Sequence, residues 1–147
     1  MGKEDLNPEF KRCIEKGKII AFKKGTSLVR KELNSATDDL LTSKDSLERG
    51  NCKWATIQAY FSMFHTARAL IYAKNYREKS HYCLVIALDH LYVERGLLDR
   101  VFIESLTMGK EMRESADYRS SFSREGADDL IKAAEDFLNV AKKLSKK

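Results

Sequence analysis

An all-α fold, an up-and-down four-helix bundle with one or two additional helices, is what three features of the sequence predict. A single proline and seven glycines in 147 residues leave little of the turn chemistry that a sheet of hairpins needs. Lysine, glutamate, leucine and alanine, all good helix formers, are abundant. Apolar residues recur at three- and four-residue steps over long stretches, the period of a helix with one buried face. The length suits one domain with a real core, read as an N-terminal helical extension over residues 1–25 and the bundle over 26–147.

Each element follows from local signals. Asn7 is placed as an N-cap with Pro8 at the first helical position, and Gly25 as the stop of this first, short helix. Val29, Leu33, Ala36, Leu40 and Leu47 trace one apolar face of a second helix that ends at Gly50-Asn51. The third, from about Cys52 to Lys74, is apolar almost all round and belongs at the centre of the domain. A fourth begins near Ser80 and runs through Leu84, Leu88 and Leu91 to Gly96. A fifth carries Leu98, Phe102, Leu106 and Met112 toward Ala116, and a last one after Ser123 repeats Leu130, Ala134, Phe137, Ala141 and Leu144. Short connections make neighbouring helices antiparallel.

Charge and cysteine usage narrow the function classes. The net charge of +5 is spread thinly, permitting an RNA or acidic partner without demanding one; only "KGKIIAFKKG" and "AKKLSKK" are locally basic, and both read as solvated ends. Cys13, Cys52 and Cys83 are odd in number and lack any metal-ligand spacing, so free thiols in a reducing cytoplasm, with no metal and no cofactor, are expected. No signal peptide and no apolar run near membrane-spanning length is present, so no membrane partner is expected.

The central helix carries the most informative pattern. Between Trp54 and Ala73 its strongly polar side chains are Gln58, His65 and Arg68, which share an arc with Trp54, Phe61 and Tyr72. An aromatic stripe with a few hydrogen-bonding groups and no Lys or Glu suits a surface that another chain covers. His65 and Arg68 fit two roles. They satisfy polar atoms within the bundle or across that interface, or they line an anionic pocket in which Arg supplies a fork for phosphate and His a proton carrier.

The stretches "AYFSMFHTARALIYAKNYREKSHYCLVIALDHLYVERGLLD" and "MRESADYRSSFSREGADDLIKAAEDFL" together resemble the HEPN domain family, over roughly residues 28 to 144. The likeness is to a compact prokaryotic subgroup with an "FH…AR" helix, a "KSH" element and "R-x-x-ADY" before the final helix. It implies a helical bundle, commonly a homodimer, often made beside a small nucleotidyltransferase in a two-gene, toxin-antitoxin-like module. Many members are metal-independent ribonucleases whose motif is an Arg, four to six residues, then a His. Here "REKSH" places Arg77 one residue too close to His81, and in "RESADY" Arg113 is followed by Asp117 and Tyr118 where the His would fall. Tyr118, with an ordinary pKa of about 10, is a poor base at neutral pH.

The resemblance therefore implies a nucleotide-binding or interaction module without strong catalysis of its own, with Arg113, His81 and Tyr118 as its catalytic-type residues. His65, Arg68, Arg77, Gln58, Tyr72 and Asp117 are the nucleotide or interface residues. The alternatives are a dimeric ribonuclease toxin and a purely structural subunit of a larger assembly. A neighbouring nucleotidyltransferase gene separates the first from the last. The stripe predicts a homodimer: light scattering at micromolar concentration should show more than a monomer, and Phe61→Glu should weaken assembly by burying an unpaired charge.

Overall fold

The computed structural model describes residues 6–119 and 122–145, and the side chains of these except 116–119. Six helices and a two-stranded ribbon follow one another as α1 (Pro8–Glu15), β1 (Ile19–Ala21), α2 (Gly25–Glu48), α3 (Cys52–Tyr72), β2 (Tyr76–Glu78), α4 (His81–Leu88), α5 (Val101–Arg119) and α6 (Arg124–Leu144). The all-α bundle expected from the pattern is therefore what forms. None of the helices, among the described residues, is long and apolar enough to cross a membrane.

The long helices arise where caps and periodicity place them. Asn51 accepts from the Trp54 backbone N–H at 3.3 Å and opens α3, and Ser123 accepts from Gly126 at 2.9 Å and opens α6. Gly50, at φ +77°, turns the chain between α2 and α3 in a conformation that side chains disfavour. α2 and α3 then pack closely because small hydroxyl residues lie between them. Ser43 donates to the Ala55 carbonyl at 2.6 Å and Ser62 to the Ala36 carbonyl at 2.8 Å, both fully buried. α6 lays Leu130, Ala134, Phe137 and Ala141 on the other side of α3, and Phe102 of α5 stacks on Phe137 with ring centres 5.3 Å apart.

Four expectations need correcting. The first helix stops at Glu15 rather than at Gly25, because Gly17 takes φ +69° and the chain turns into β1. β1 pairs antiparallel with β2, Ile19 opposite Glu78 and Ala21 opposite Tyr76, a ribbon that a helical period does not reveal. Cys13 and Cys83 are not free thiols: they form a disulfide between α1 and α4, with Cα atoms 5.9 Å apart, while Cys52 remains free. Their separation of 70 residues carries no sequence signal of that pairing. The fourth helix also changes character, α4 giving way to a π-helical turn at Asp89–Val93 before Gly96 ends it.

Gly25 decides how the ribbon joins the bundle. A Cβ there would stand 2.3 Å from the Tyr72 carbonyl oxygen, so only glycine lets α2 start against the end of α3. Gly25→Ala should lower the unfolding free energy by about 1–3 kcal/mol, the usual cost of overpacking, read as a lower urea midpoint at unchanged slope.

Candidate functional site

Two polar clusters form along α3, and they differ in how their charges are met. The first surrounds His65 and Arg68. The His65 Nδ1 lies 2.6 Å from Glu32 Oε2 and its Nε2 3.6 Å from Asp39 Oδ2, both carboxylates coming from α2. Arg68 places Nη1 3.8 Å from Glu32 and Nε 3.2 Å from the buried Glu78 of β2, and lies over the rings of Phe64 and Tyr72. Burial pushes the Glu78 and Asp39 carboxyls up, opposed at Glu78 by Arg68 and at Asp39 by His65. Gln58 accepts from the Ser46 hydroxyl at 2.7 Å, and Tyr72 is buried.

The stripe is thus covered in part by the chain's own α2 and β2, which supply the carboxylates that the helix lacks. Trp54, at 49% exposure, is its most open member. Of the two roles open to His65 and Arg68, the internal one is built: the Arg68 fork is occupied by carboxylates and is not an open phosphate clamp.

The second cluster sets His81 and Arg113, 32 positions apart in the sequence, each near one aromatic ring. Tyr60 of α3 joins them. Its ring centre is 6.1 Å from that of His81 and 5.8 Å from the Arg113 guanidinium, which also lies 4.7 Å from the Phe61 ring. Arg113 forms no ion pair among the described residues, whereas Lys110 and Glu114, on the same stretch of α5, pair at 3.1 Å. His81 is the first residue of α4, set there by Ser80, whose hydroxyl accepts from the Cys83 backbone N–H at 3.1 Å. Gly109 lets α5 approach: a Cβ there would lie 2.9 Å from the Met63 methyl carbon and 3.3 Å from the Tyr60 ring.

Electrostatics tune both ring groups. Burial is the larger cause that lowers the His81 pKa below its usual 6.5, and Lys110 adds to it against Glu114, so the imidazole is neutral at neutral pH. Its Nε2 is buried and has no hydrogen-bond partner among the described residues. Burial pushes the Tyr60 phenol up to about 12, with Arg113 opposing, so it stays a neutral donor. Arg113, with no ion pair among the described residues, is thus the charged member of a cluster whose imidazole and phenol are neutral.

The remaining sequence candidates are placed as follows. Arg77 and His81 do not form one motif: Arg77 lies over the Phe22 ring at 5.6 Å on the β ribbon, because "REKSH" spans a strand-to-helix junction that sends the two side chains to different neighbours. The side chains of Asp117 and Tyr118 lie outside the described ones, and so does the expected Arg113–Asp117 pairing. Tyr60, Lys110 and Glu114 went unnoticed in the sequence; the one available signal was Gly109, a glycine inside a helical pattern, which marks a close helix contact.

Against known proteins, residues 29–144 match the HEPN domain. The chain belongs to the HEPN family. It is similar to a Methanocaldococcus jannaschii protein named "Putative toxin MJ0605", 28% identical over 123 residues that cover 80% of this chain and 92% of that one. It is also similar to the UPF0332 protein PH1297 of Pyrococcus horikoshii, 29% identical over 79 residues, 54% of this chain and 56% of the relative. The HEPN match contains both clusters and begins after β1.

A titration checks the second cluster. Because the folded His81 pKa lies below the unfolded value, its contribution to stability is complete above about pH 6.5 and fades as the pH falls toward the folded midpoint. The His81 ring proton followed by NMR should titrate below 6.5, and Lys110→Gln should move that midpoint upward.

Proposed function

We propose that this HEPN chain is a toxin-type interaction module that binds a nucleotide or RNA phosphate at Arg113, near the Tyr60 ring that His81 also faces, and works beside a small nucleotidyltransferase. The observation that carries this reading is that Arg113, with no ion pair among the described residues, and His81, whose Nε2 has no hydrogen-bond partner among them, both lie near the ring of Tyr60. The guanidinium of Arg113 presents a planar, cationic fork suited to a phosphate. The archaeal relative's name supports the toxin class, and the family resemblance supports the nucleotidyltransferase partner and a homodimer.

Strong catalysis is not part of the proposal. To cleave RNA, a base must take the 2'-hydroxyl proton as that oxygen attacks phosphorus and the 5'-oxygen leaves. His81 has the right protonation state for this, which favours a metal-independent ribonuclease as the second reading. Its Nε2 is enclosed, however, and a ribose hydroxyl reaches it only if α4 and α5 part or a second copy rearranges them.

In chelator, ATP titrated into the chain by calorimetry should bind, and Arg113→Ala should weaken binding about ten- to hundredfold, the loss of one charge-assisted contact. RNA cleavage in the same buffer should be weak, short of a well-placed base by about 100- to 10,000-fold. Strong cleavage abolished by His81→Ala would establish the ribonuclease reading instead, and ATP binding indifferent to Arg113→Ala would end the phosphate-holding one.

A further inference from the structure

The pairing of β1 with β2 collects a charge that neither segment shows alone. The register sets Lys18 opposite Lys79 and Ile20 opposite Arg77, and the Lys79 backbone N–H donates to the Lys18 carbonyl at 2.8 Å. Side chains alternate across a ribbon, so Lys18, Lys79 and Arg77 share its outer face while Ile19 and Glu78 are buried on the inner one. Lys23, Lys24 and Lys74 flank the same short element, and all six cations are exposed. Within residues 17–24 and 74–79 these six stand against one carboxylate, Glu78. That leaves a formal +5, the net charge of the whole chain, so the remainder is electrically balanced.

These cations are not internally neutralised. None of the six forms an ion pair among the described residues, in contrast to Arg68, Lys44 and Lys110. Two are held on aromatic faces instead: Arg77 over Phe22 at 5.6 Å and Lys74 over Tyr92 at 5.5 Å. Such contacts fix a cation's position and leave its hydrogen-bond donors available. Glu78 points inward and is committed to Arg68.

We propose that the outer face of the β1–β2 ribbon is a contact surface for the phosphate backbone of a single RNA strand. Charge complementarity selects a polyanion, and held but unpaired cations suit repeated phosphates. The ribbon, three paired positions or about 10 Å long, can follow one flexible strand, whereas the deep groove of an RNA duplex does not admit it. β2 runs through Lys79 and Ser80 straight into His81, and the charge of Glu78, on the inner face of β2, reaches Tyr60. The choice of RNA among polyanions rests on the phosphodiester reading of the His81–Arg113 site.

The test is fluorescence anisotropy of a labelled single-stranded RNA of mixed sequence, in chelator, between about 50 and 200 mM salt. The full chain is compared with the triple variant Lys18→Ala, Arg77→Ala, Lys79→Ala and with Arg113→Ala, folding being checked by circular dichroism. Each phosphate contact on a single strand contributes about 0.7 to the slope of log affinity against log salt, so the triple variant should lose about 2 from that slope. Its affinity should fall about tenfold or more at the lower salt. Retained affinity and slope in the triple variant overturn the proposal, as does tighter binding of duplex DNA or equal competition by polyglutamate. Loss of RNA binding in the triple variant, with ATP binding indifferent to Arg113→Ala, upholds the ribbon and ends the site reading. Loss in Arg113→Ala alone does the reverse.

Discussion

A helix that is apolar on nearly every side must be buried on nearly every side, and α3 imposes that demand on the rest of the chain. α2, α5, α6, β2 and α4 all pack against it. The fit is tight where the covering residues are small, at Ser43 and Ser62 toward α2 and at Gly109 toward α5. A central helix of this kind has no polar face on which to place His65 and Arg68 harmlessly. Their partners must come from whatever covers them, and they do: Glu32 and Asp39 from α2, Glu78 from β2.

The same demand explains why two arginines near one helix behave differently. Arg68 is met by two carboxylates, and taking up a phosphate would require giving them up. Leaving a buried carboxylate such as Glu78 without its cation costs about 3–5 kcal/mol, more than one charge-assisted hydrogen bond returns. Arg113 rests on the rings of Tyr60 and Phe61, contacts of about 0.5–2 kcal/mol that persist when an anion approaches the guanidinium's edge. The difference lies in the partners and not in the residue type. It makes Arg68 a group that ties α2, α3 and β2 together and leaves Arg113 on aromatic faces.

Much of this architecture was legible because helical periodicity and caps are local signals. Asn7, Ser80 and Ser123 were placed correctly at the starts of helices, Gly50-Asn51 as the break between two of them, and the all-round apolar character of α3 marked it as central. The ribbon was not legible: three-residue strands are too short to show a period of two, and Ile19–Ala21 and Tyr76–Glu78 lie far apart in sequence. Gly25 was recognised as a boundary but assigned to the end of one helix instead of the start of the next, since a glycine reads alike in both places. At the site, Arg113 and His81 were visible as residue types. Tyr60, which joins them, was hidden inside an apolar run where nothing distinguishes a platform from ordinary core.

The N-terminal segment changes what the bundle presents to its surroundings. It lies ahead of the residues matched to the HEPN domain, yet Phe10 is fully buried and packs on His90 and Tyr76, and Cys13 is bonded to Cys83. Without β1, the strand at Tyr76–Glu78 would be a lone edge carrying Arg77 and the carboxylate of Glu78, with Lys74 and Lys79 flanking it. With it, Lys18 comes to stand directly opposite Lys79, an arrangement that by itself weakens a pair of strands. The ribbon must therefore be held closed from its inner side and its ends. Buried Ile19, the Glu78–Arg68 pair, the close contact at Gly25 and the disulfide between α1 and α4 are the groups placed to do so. Like charges kept together against their repulsion leave a positive field on the outer face, and the inner-face contacts are what hold that field in place.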